Sequence, residues 1–586
     1  MKEESSIHKK MASNAAAGMI ATGIYLVSRL LLTPFILNYL TLAEFGLWSL
    51  CFIILSYASM GGFGVNSTYI RYTARYSAEG HHEDISKLLS TGIAYMLSFS
   101  TLFCLILWGS MPLIHRAFDI EISQQALASS VFLGTAAVFS LELTLGGFRF
   151  IITGLHEIAK EKKITTIAGL LEIVAILIFL TLGSGILGLL YAYALRVIIE
   201  TWSCRKVATT LLPELRVSPS LISREQFRLF FVFGGKVQIL GAAGIFLTAL
   251  DRLFVTATAG LAAGGMLEIG RKLPFTAKKI SESAFGPFLP AAAHFDGSWE
   301  REIYNAPVKR LQNYILIILL MIAFGGIPFF FIPSIGTILP VPAPAASAVS
   351  ALFAAVILVR LIQQQDKNEQ LKKGELLELY LQGLRYTTLI SATIFGFLIA
   401  AATPLIHAWV GTDYNDAIFV MVLIALAYTL QLATGPGNLI FRGIDRNGRE
   451  LEYLIAQMSL LLLWLPAATV SYGLNGAAVA LAAASGGSTI FFFWRSNHTF
   501  QIPFSAIVKQ AILPAMAPLV PAVLVYCSTT ILPSADRLSS ILTVLICGIL
   551  YLSMTLAIIW LAVLNPDEKQ TTAAMLGNVS TLKRKQ

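Results

Sequence analysis

Runs of twenty or more mostly apolar residues, separated by short polar stretches, fill the chain from residue 16 to residue 564. A hydrocarbon layer about 30 Å thick takes about 20 such residues per helix, so each run predicts one transmembrane span. The runs fall at 16–40, 46–70, 88–114, 127–154, 164–185 and 187–207, then at 229–250 and 258–289 after a polar linker at 211–227. Eight more follow at 312–335, 345–362, 386–410, 417–441, 453–473, 475–494, 511–532 and 538–564. The count is sixteen, or fourteen without 258–289 and 345–362. The predicted class is an all-α, polytopic integral membrane protein divided at 1–210, 211–450 and 451–586.

Composition changes this picture little. With 56% apolar and 13% charged residues over 586 positions, the chain departs far from a soluble domain, which carries about 25% charged residues. The net charge of +9 would raise nucleic acid as a partner in a soluble protein. Here it follows the positive-inside bias. With the N-terminus in the cytoplasm, the inner loops carry basic residues from Lys2, Lys9 and Lys10 through Lys160, Lys162 and Lys163 to Lys583, Arg584 and Lys585. The outer loops hold only Arg116, Arg252 and Arg537. Both termini are therefore expected in the cytoplasm, and no nucleic acid is expected.

The outer loops, such as Thr41–Phe45, Gly411–Asp416 and Pro533–Arg537, are too short to house an active site, so no enzymatic activity is expected. The longest inner loop, Gln363–Arg385, mixes leucines with charges and predicts an interfacial amphipathic helix. Gly234-Gly235-Lys236-Val237 lacks the glycine spacing and the hydroxyl residue of a phosphate-binding nucleotide loop. His81-His82 sits in a short inner loop, where adjacent histidines do not share a helical face. The five cysteines form no CxxC pair, so neither a metal nor a disulfide framework is expected.

Ionisable residues inside spans are costly and face a bundle interior or a wet cavity. They concentrate in the first eight spans: Arg29, Glu142, Arg149, Glu172, Arg196, Glu200, Lys236, Asp251, Arg252, Glu268, Arg271, Lys272, Lys278 and Lys279. Arg196 and Glu200, spaced i, i+4, read as a pair that neutralises itself. Glu142 and Arg149, seven residues apart, are expected on one helical face. Glu268 stands i, i+3 from Arg271 and i, i+4 from Lys272, but no suitably spaced acid exists for all of Arg29, Arg149, Lys236, Arg271 and Lys272, so these five predict a cationic cavity lining for an anionic cargo such as a phosphate or pyrophosphate. Glu142 and Asp251 are the candidates for coupling transport to an ion, although Asp251 reads equally well as a helix cap or a partner of Arg252.

Several short motifs carry a family resemblance. Leu31-Leu32-Thr33-Pro34-Phe35-Ile36-Leu37 with Leu40-Thr41-Leu42-Ala43-Glu44-Phe45-Gly46-Leu47-Trp48, and Gly62-Phe63-Gly64-Val65 before Arg71-Tyr72-Thr73-Ala74-Arg75, resemble the opening helices of polysaccharide-synthesis flippases. Leu250-Asp251-Arg252-Leu253-Phe254-Val255 with Gly265 and Arg271-Lys272-Leu273-Pro274 is similar to the start of their second lobe. Trp409-Val410-Gly411-Thr412-Asp413-Tyr414 and Gly435-Pro436-Gly437 through Arg446 resemble later turns. The resemblance runs from about Met11 to about Phe500, to the oligosaccharide-flippase branch of the multidrug/oligosaccharidyl-lipid/polysaccharide exporter superfamily.

It implies two pseudo-symmetric six-helix lobes around a central cavity; this chain departs from the family in length, with extra helices that include an inserted pair near 296–372. Gly46 and Gly265 open comparable helices in the two halves, a faint internal repeat of the kind known in transporters. The implied function is ion-coupled movement of undecaprenyl-pyrophosphate-linked oligosaccharide from the inner to the outer leaflet of a bacterial cytoplasmic membrane, for surface polysaccharide. A transmembrane proton or sodium gradient would drive it without a further cofactor. Membrane lipids and polysaccharide polymerase machinery are the implied partners. A cation/drug antiporter of the same superfamily fits the excess of buried Arg and Lys less well. A peptidoglycan-precursor flippase shares carrier and charge and is separated less sharply, and a carrier-dependent glycosyltransferase would want a large outer loop.

Overall fold

The computed structural model describes residues 2–283 except 63, and 373–570 except 444–446, 501–503, 532–535 and 567. The expected spans at 312–335 and 345–362 lie outside the described residues. Every regular element within them is helical. Among the described residues ten stretches are long and apolar enough to cross a membrane, and the chain is a multi-pass membrane protein. Among the described residues it forms two compact units: the first holds 2–268 with Thr469–Leu474, the second 269–283, 373–468 and 475–570. The first unit thus extends beyond the polar linker at 211–227.

In the first unit the chain runs through α1 (Lys2–Leu37), α2 (Leu42–Ala58), α3 (Val65–Ala78), α4 (His82–Gly109), α5 (Met111–Ala117), α6 (Gln125–Leu145), α7 (Gly147–Gly154), α8 (Ile158–Thr181) and α9 (Gly185–Leu211). A short α10 (Arg224–Leu229) leads through a π-turn into α11 (Gly235–Ala259), and α12 (Leu261–Ser283) passes into the second unit. The expected second span, 46–70, is broken. A 3-10 turn at Ser59–Gly62 and a left-handed Gly64 (φ 64°) separate α2 from α3. There the Gly61 backbone lies so close to the Phe99 ring that an added Cβ would meet it at 2.0 Å. The expected fourth span breaks likewise at Gly146, between α6 and α7.

Two short motifs have plain physical causes. Thr41 and Glu44 form a capping box that starts α2: the Glu44 carboxylate accepts the Thr41 N–H at 2.8 Å, and the Thr41 hydroxyl accepts the Glu44 N–H at 3.3 Å. Five residues into this sequence Gly46 meets α12. A Cβ on Gly46 would lie 1.9 Å from the Leu261 carbonyl oxygen, and one on Gly265 would lie 2.6 Å from that of Leu42. The two glycines that mark the internal repeat therefore permit one backbone-to-backbone approach of α2 and α12.

The linker is bound to the first unit. The backbone N–H groups of Arg216, Ser218 and Ser223 donate to Ser86 Oγ (3.1 Å), Ser90 Oγ (3.2 Å) and Thr91 Oγ1 (2.9 Å) on successive turns of α4. Gln226 donates to the Tyr76 hydroxyl at 3.1 Å, and the buried Phe230 meets Tyr69 edge-on at 5.6 Å.

In the second unit α13 (Lys373–Ala400) packs on α15 (Asp416–Ala433) and α16 (Gly435–Gly443), with α14 (Ala402–Trp409) between α13 and α15 in the chain. A long helix, α17 (Asn447–Phe500), is interrupted at Gly473 (φ 58°), so it carries the two expected spans 453–473 and 475–494. The closing pair is α18 (Leu519–Ile531) and α19 (Arg537–Ile558). Residues 373–385 do not form the expected interfacial helix. They are the first turns of α13, and Tyr380 and Leu384 are fully buried against Ile440, Phe441 and Phe492. Charges at 373–385 mimic a surface pattern, yet enough leucines line one side to enter a core.

Beyond the spans, burial pushes the Glu568 carboxyl up, but hydrogen bonds from Tyr386 Oη (2.6 Å), the Asn565 N–H (2.8 Å) and Arg385 Nη2 (3.0 Å) outweigh it and hold the group below the usual carboxylate range. Its stabilisation is present above the unfolded-state value and is lost as pH falls through the folded-state value. Melting curves of wild type and Glu568→Gln should therefore differ near neutral pH and converge in acid. Gly46→Ala and Gly265→Ala should each lower the melting temperature in detergent, at an overpacking cost of about 1–3 kcal/mol. Gly109→Ala, where no atom lies within 4 Å of the added Cβ, should leave it unchanged.

Candidate functional site

The charged groups of α1, α6, α7, α8 and α9 assemble into one network in the first unit. Arg29 on α1 donates to Glu172 on α8. Arg149 on α7 reaches Glu161 at 2.5 Å and Glu200 at 3.0 Å. Arg196 on α9 touches three carboxylates on three helices: Glu200 (2.8 Å), Glu142 (3.1 Å) and Glu172 (3.5 Å). The Tyr193 hydroxyl donates to Glu142 at 2.8 Å, and Lys162 lies 3.2 Å from Glu161. Four cations thus face four carboxylates.

This corrects one expectation. Arg29 and Arg149 were expected to line a cavity for want of a suitably spaced acid; both have partner acids, on other helices. Glu142 and Arg149 were expected on one face; they lie on consecutive helices, α6 and α7, and both line one cavity, Arg149 bonded to Glu161 and Glu200, and Glu142 to Arg196 and Tyr193. The Arg196–Glu200 pair forms as its spacing suggests, but as part of the larger set. Glu161, a network member, stands outside the residues singled out from the sequence. Its neighbours Lys160, Lys162 and Lys163 make it look like part of a solvated loop.

The carboxylates differ in access. The side chains of Glu161, Glu172 and Glu200 are 2%, 4% and 8% exposed, while that of Glu142 is 31% exposed. Glu142, Arg149 and Glu200 line a cavity of about 210 Å³ with Asn66, Thr201 and Cys204. That volume holds several waters, so the network has a wet side. Glu142 is its most accessible acid.

The remaining candidates lie on α11 and α12. Lys236 stands in the first turn of α11, its side chain outside the described residues. Asp251 is buried on α11, and its neighbour Arg252 pairs with Glu268 at 3.0 Å. In the second unit Arg271 is buried and donates to the Tyr428 hydroxyl on α15 at 3.4 Å, with the half-buried Lys272 beside it. Two turns on, Lys278 lies over the Tyr428 ring, 4.5 Å from its centroid, and donates to Gln431 Oε1 at 2.7 Å. Gln431 in turn donates to Ser485 Oγ on α17 at 2.9 Å. Tyr428, Gln431 and Ser485 escape a reading of charge alone because each is a neutral polar residue inside a long apolar run. Among the described residues no group of three or more His, Cys, Asp or Glu side chains is placed to hold a metal ion.

Residues 7–286 match the family model described as polysaccharide biosynthesis protein. The motifs at 409–414 and 435–446 lie outside this match. No curated protein matches the chain in sequence. Among solved structures, the lipid II flippase MurJ in an inward closed conformation is similar at 13% identity, with 93% of this chain and 98% of that chain covered and a TM-score of 0.60. An inward-facing multidrug resistance MATE family transporter of the MOP superfamily is similar at 14% identity, covering 83% of this chain and 94% of that chain, TM-score 0.51. The chain therefore shares its fold with flippases and transporters of that superfamily.

Removing one partner of a buried ion pair costs about 3–5 kcal/mol, because the other charge is left behind. Arg196→Leu strips a cation from three carboxylates at once, whereas Arg29→Leu leaves Glu172 with Arg196. Of the two replacements Arg196→Leu should lower the melting temperature of the purified protein more. An equal loss for Arg29→Leu would break this ranking.

Proposed function

We propose that the chain flips a lipid-linked oligosaccharide, carried on undecaprenyl pyrophosphate, from the inner to the outer leaflet of a bacterial cytoplasmic membrane for surface polysaccharide synthesis, and is not an enzyme. The observation that carries this reading is the polysaccharide biosynthesis sequence over residues 7–286 on a fold shared with a flippase. The embedded cations of α12, Arg271 and Lys272, are the groups that would meet the pyrophosphate, with Lys236 of α11 as a third. Arg29 and Arg149 are tied to carboxylates, and their part is to hold the network in place.

Coupling would run through Glu142. It is the carboxylate with both a wet approach and two displaceable donors, Arg196 and Tyr193. Protonation would release Arg196 to Glu172 and Glu200, which it already touches; deprotonation would draw it back. The buried Asp251 is the second candidate. A proton or sodium gradient can drive such a cycle, each elementary charge being worth about 2.3 kcal/mol per 100 mV. A flippase for the peptidoglycan precursor is the second reading, favoured by the TM-score of 0.60 to the lipid II flippase.

The test is transport in proteoliposomes loaded with a pyrophosphate-linked polyprenyl oligosaccharide, with and without a pH gradient. Wild type should flip it, faster with the gradient, and Glu142→Gln should abolish the gradient dependence. Equal flipping of lipid II would favour the second reading. Efflux of a cationic dye with no lipid flipping would move the chain to the antiporters.

A further inference from the structure

α10 and the first residues of the π-turn after it have two faces. Gln226 and Phe230, four residues apart, are buried and tied to Tyr76 and Tyr69 on α3. Arg224, Phe227, Arg228 and Phe231, spaced i, i+3, i+4 and i+7, form the opposite face, and all four are exposed. The Phe227 and Phe231 rings lie 4.9 Å apart, and both meet Tyr95 of α4 edge-on, at 5.8 and 5.6 Å. The Tyr95 hydroxyl donates to the Gly61 carbonyl at 2.7 Å, which fixes that ring. Phe227 and Phe231 are nevertheless 41% and 40% exposed. Among the described residues neither Arg224 nor Arg228 has an ion-pair partner. Glu225 falls off the stripe, about 100° round the helix.

The depth of this face follows from α4. Its 28 residues extend about 42 Å, about 12 Å more than a hydrocarbon core. Glu83, Asp84 and Lys87 occupy its first two turns, and no charged residue follows from Leu88 to Gly109. The hydrocarbon boundary therefore falls near Leu88. Ser90 and Thr91, which hold the linker, lie within a turn of it, and Tyr95 lies about 10 Å below. The two phenylalanines beside Tyr95 stand at acyl-chain depth. The arginines stand one side chain's length from the phosphate layer, toward which such side chains snorkel.

We propose that Arg224 and Arg228 clasp the phosphate of an anionic phospholipid whose acyl chains lie on Phe227 and Phe231. The planar guanidinium fork matches phosphate oxygens, and two forks one turn apart converge on one headgroup. An anionic headgroup is favoured over phosphatidylcholine, whose own choline cation answers part of the phosphate charge. The inference stands apart from the flippase reading: the ligand is a bilayer lipid and not the cargo, and α10 carries none of the residues assigned to transport. A lipid bound there adds a second hold on the linker to that of the α4 hydroxyls.

The experiment titrates the full-length protein in dodecyl maltoside with dioctanoyl phosphatidylglycerol and follows the thermal shift. Wild type should show saturable stabilisation, with dioctanoyl phosphatidylcholine binding more weakly. A basic residue near an anionic lipid surface contributes about fivefold, so Arg224→Gln with Arg228→Gln should weaken phosphatidylglycerol about 25-fold. Both side chains are exposed, so the lipid-free melting temperature of that variant should match wild type. Arg224→Lys with Arg228→Lys, which keeps the charge, should retain most of the binding. Arg205→Gln with Lys206→Gln removes the same charge from exposed positions on α9 and should leave binding unchanged. Glycerol 3-phosphate, a headgroup without acyl chains, should give no shift at the same concentrations. No saturable effect in wild type, equal affinity for the two lipids, equal weakening by the two glutamine pairs, or an equal shift with glycerol 3-phosphate would each overturn the site.

Discussion

A guanidinium in hydrocarbon needs charged or polar groups around it, and the first unit is organised by that requirement. Arg196 binds Glu142, Glu172 and Glu200, one each from α6, α8 and α9, so three helices meet at one side chain. Arg29 adds α1 to the group, and Arg149 adds α7. Apolar contact sets no register between helices that are leucine-rich on every face, because lipid is as apolar as the neighbouring helix. Fixed charges do set it. The network is thus a positional device as well as a candidate for coupling.

Both units pair buried charge directly. In the first-unit network acids and bases balance in number, and in the second the buried Glu452 takes Arg449 at 3.4 Å and Arg495 at 2.9 Å. On α12 Arg271 and Lys278 also meet neutral dipoles: a phenol, a carboxamide and, through it, a hydroxyl. A balanced network can exchange a proton internally at small electrostatic cost, since a charge moved from one carboxylate is answered by a guanidinium already touching the next. A cation held by neutral dipoles keeps its field for an incoming anion.

Spans were legible because twenty apolar residues have no other economical fate, and all the described spans sit close to where hydropathy puts them. Breaks within spans were less so. Gly64 and Gly146 end helices inside unbroken apolar runs, where hydropathy is blind to backbone conformation. The motif around Thr41, Glu44 and Gly46 was visible as a pattern, and its causes, a capping box and a close helix approach, are local enough to be argued from sequence. Of the ion pairs only the i, i+4 contact of Arg196 with Glu200 was legible. The partner of Arg29 lies 143 residues away and those of Arg149 lie 12 and 51 away, so local spacing found neither. Residues 373–385 misled for the opposite reason, because a charged and leucine-rich stretch looks the same whether it rests on a membrane or begins a buried helix.

The hydroxyls of α4 that hold the linker have a consequence for the order in which the molecule is made. Ser86, Ser90, Thr91 and Tyr76 all precede the linker in the chain, so every partner it needs has been synthesised before it emerges. Domains complete themselves from the N-terminal end during synthesis. The linker can therefore close onto the first unit while the second is still inside the ribosome. The nascent chain then passes through the π-turn at Phe230–Gly234 already anchored.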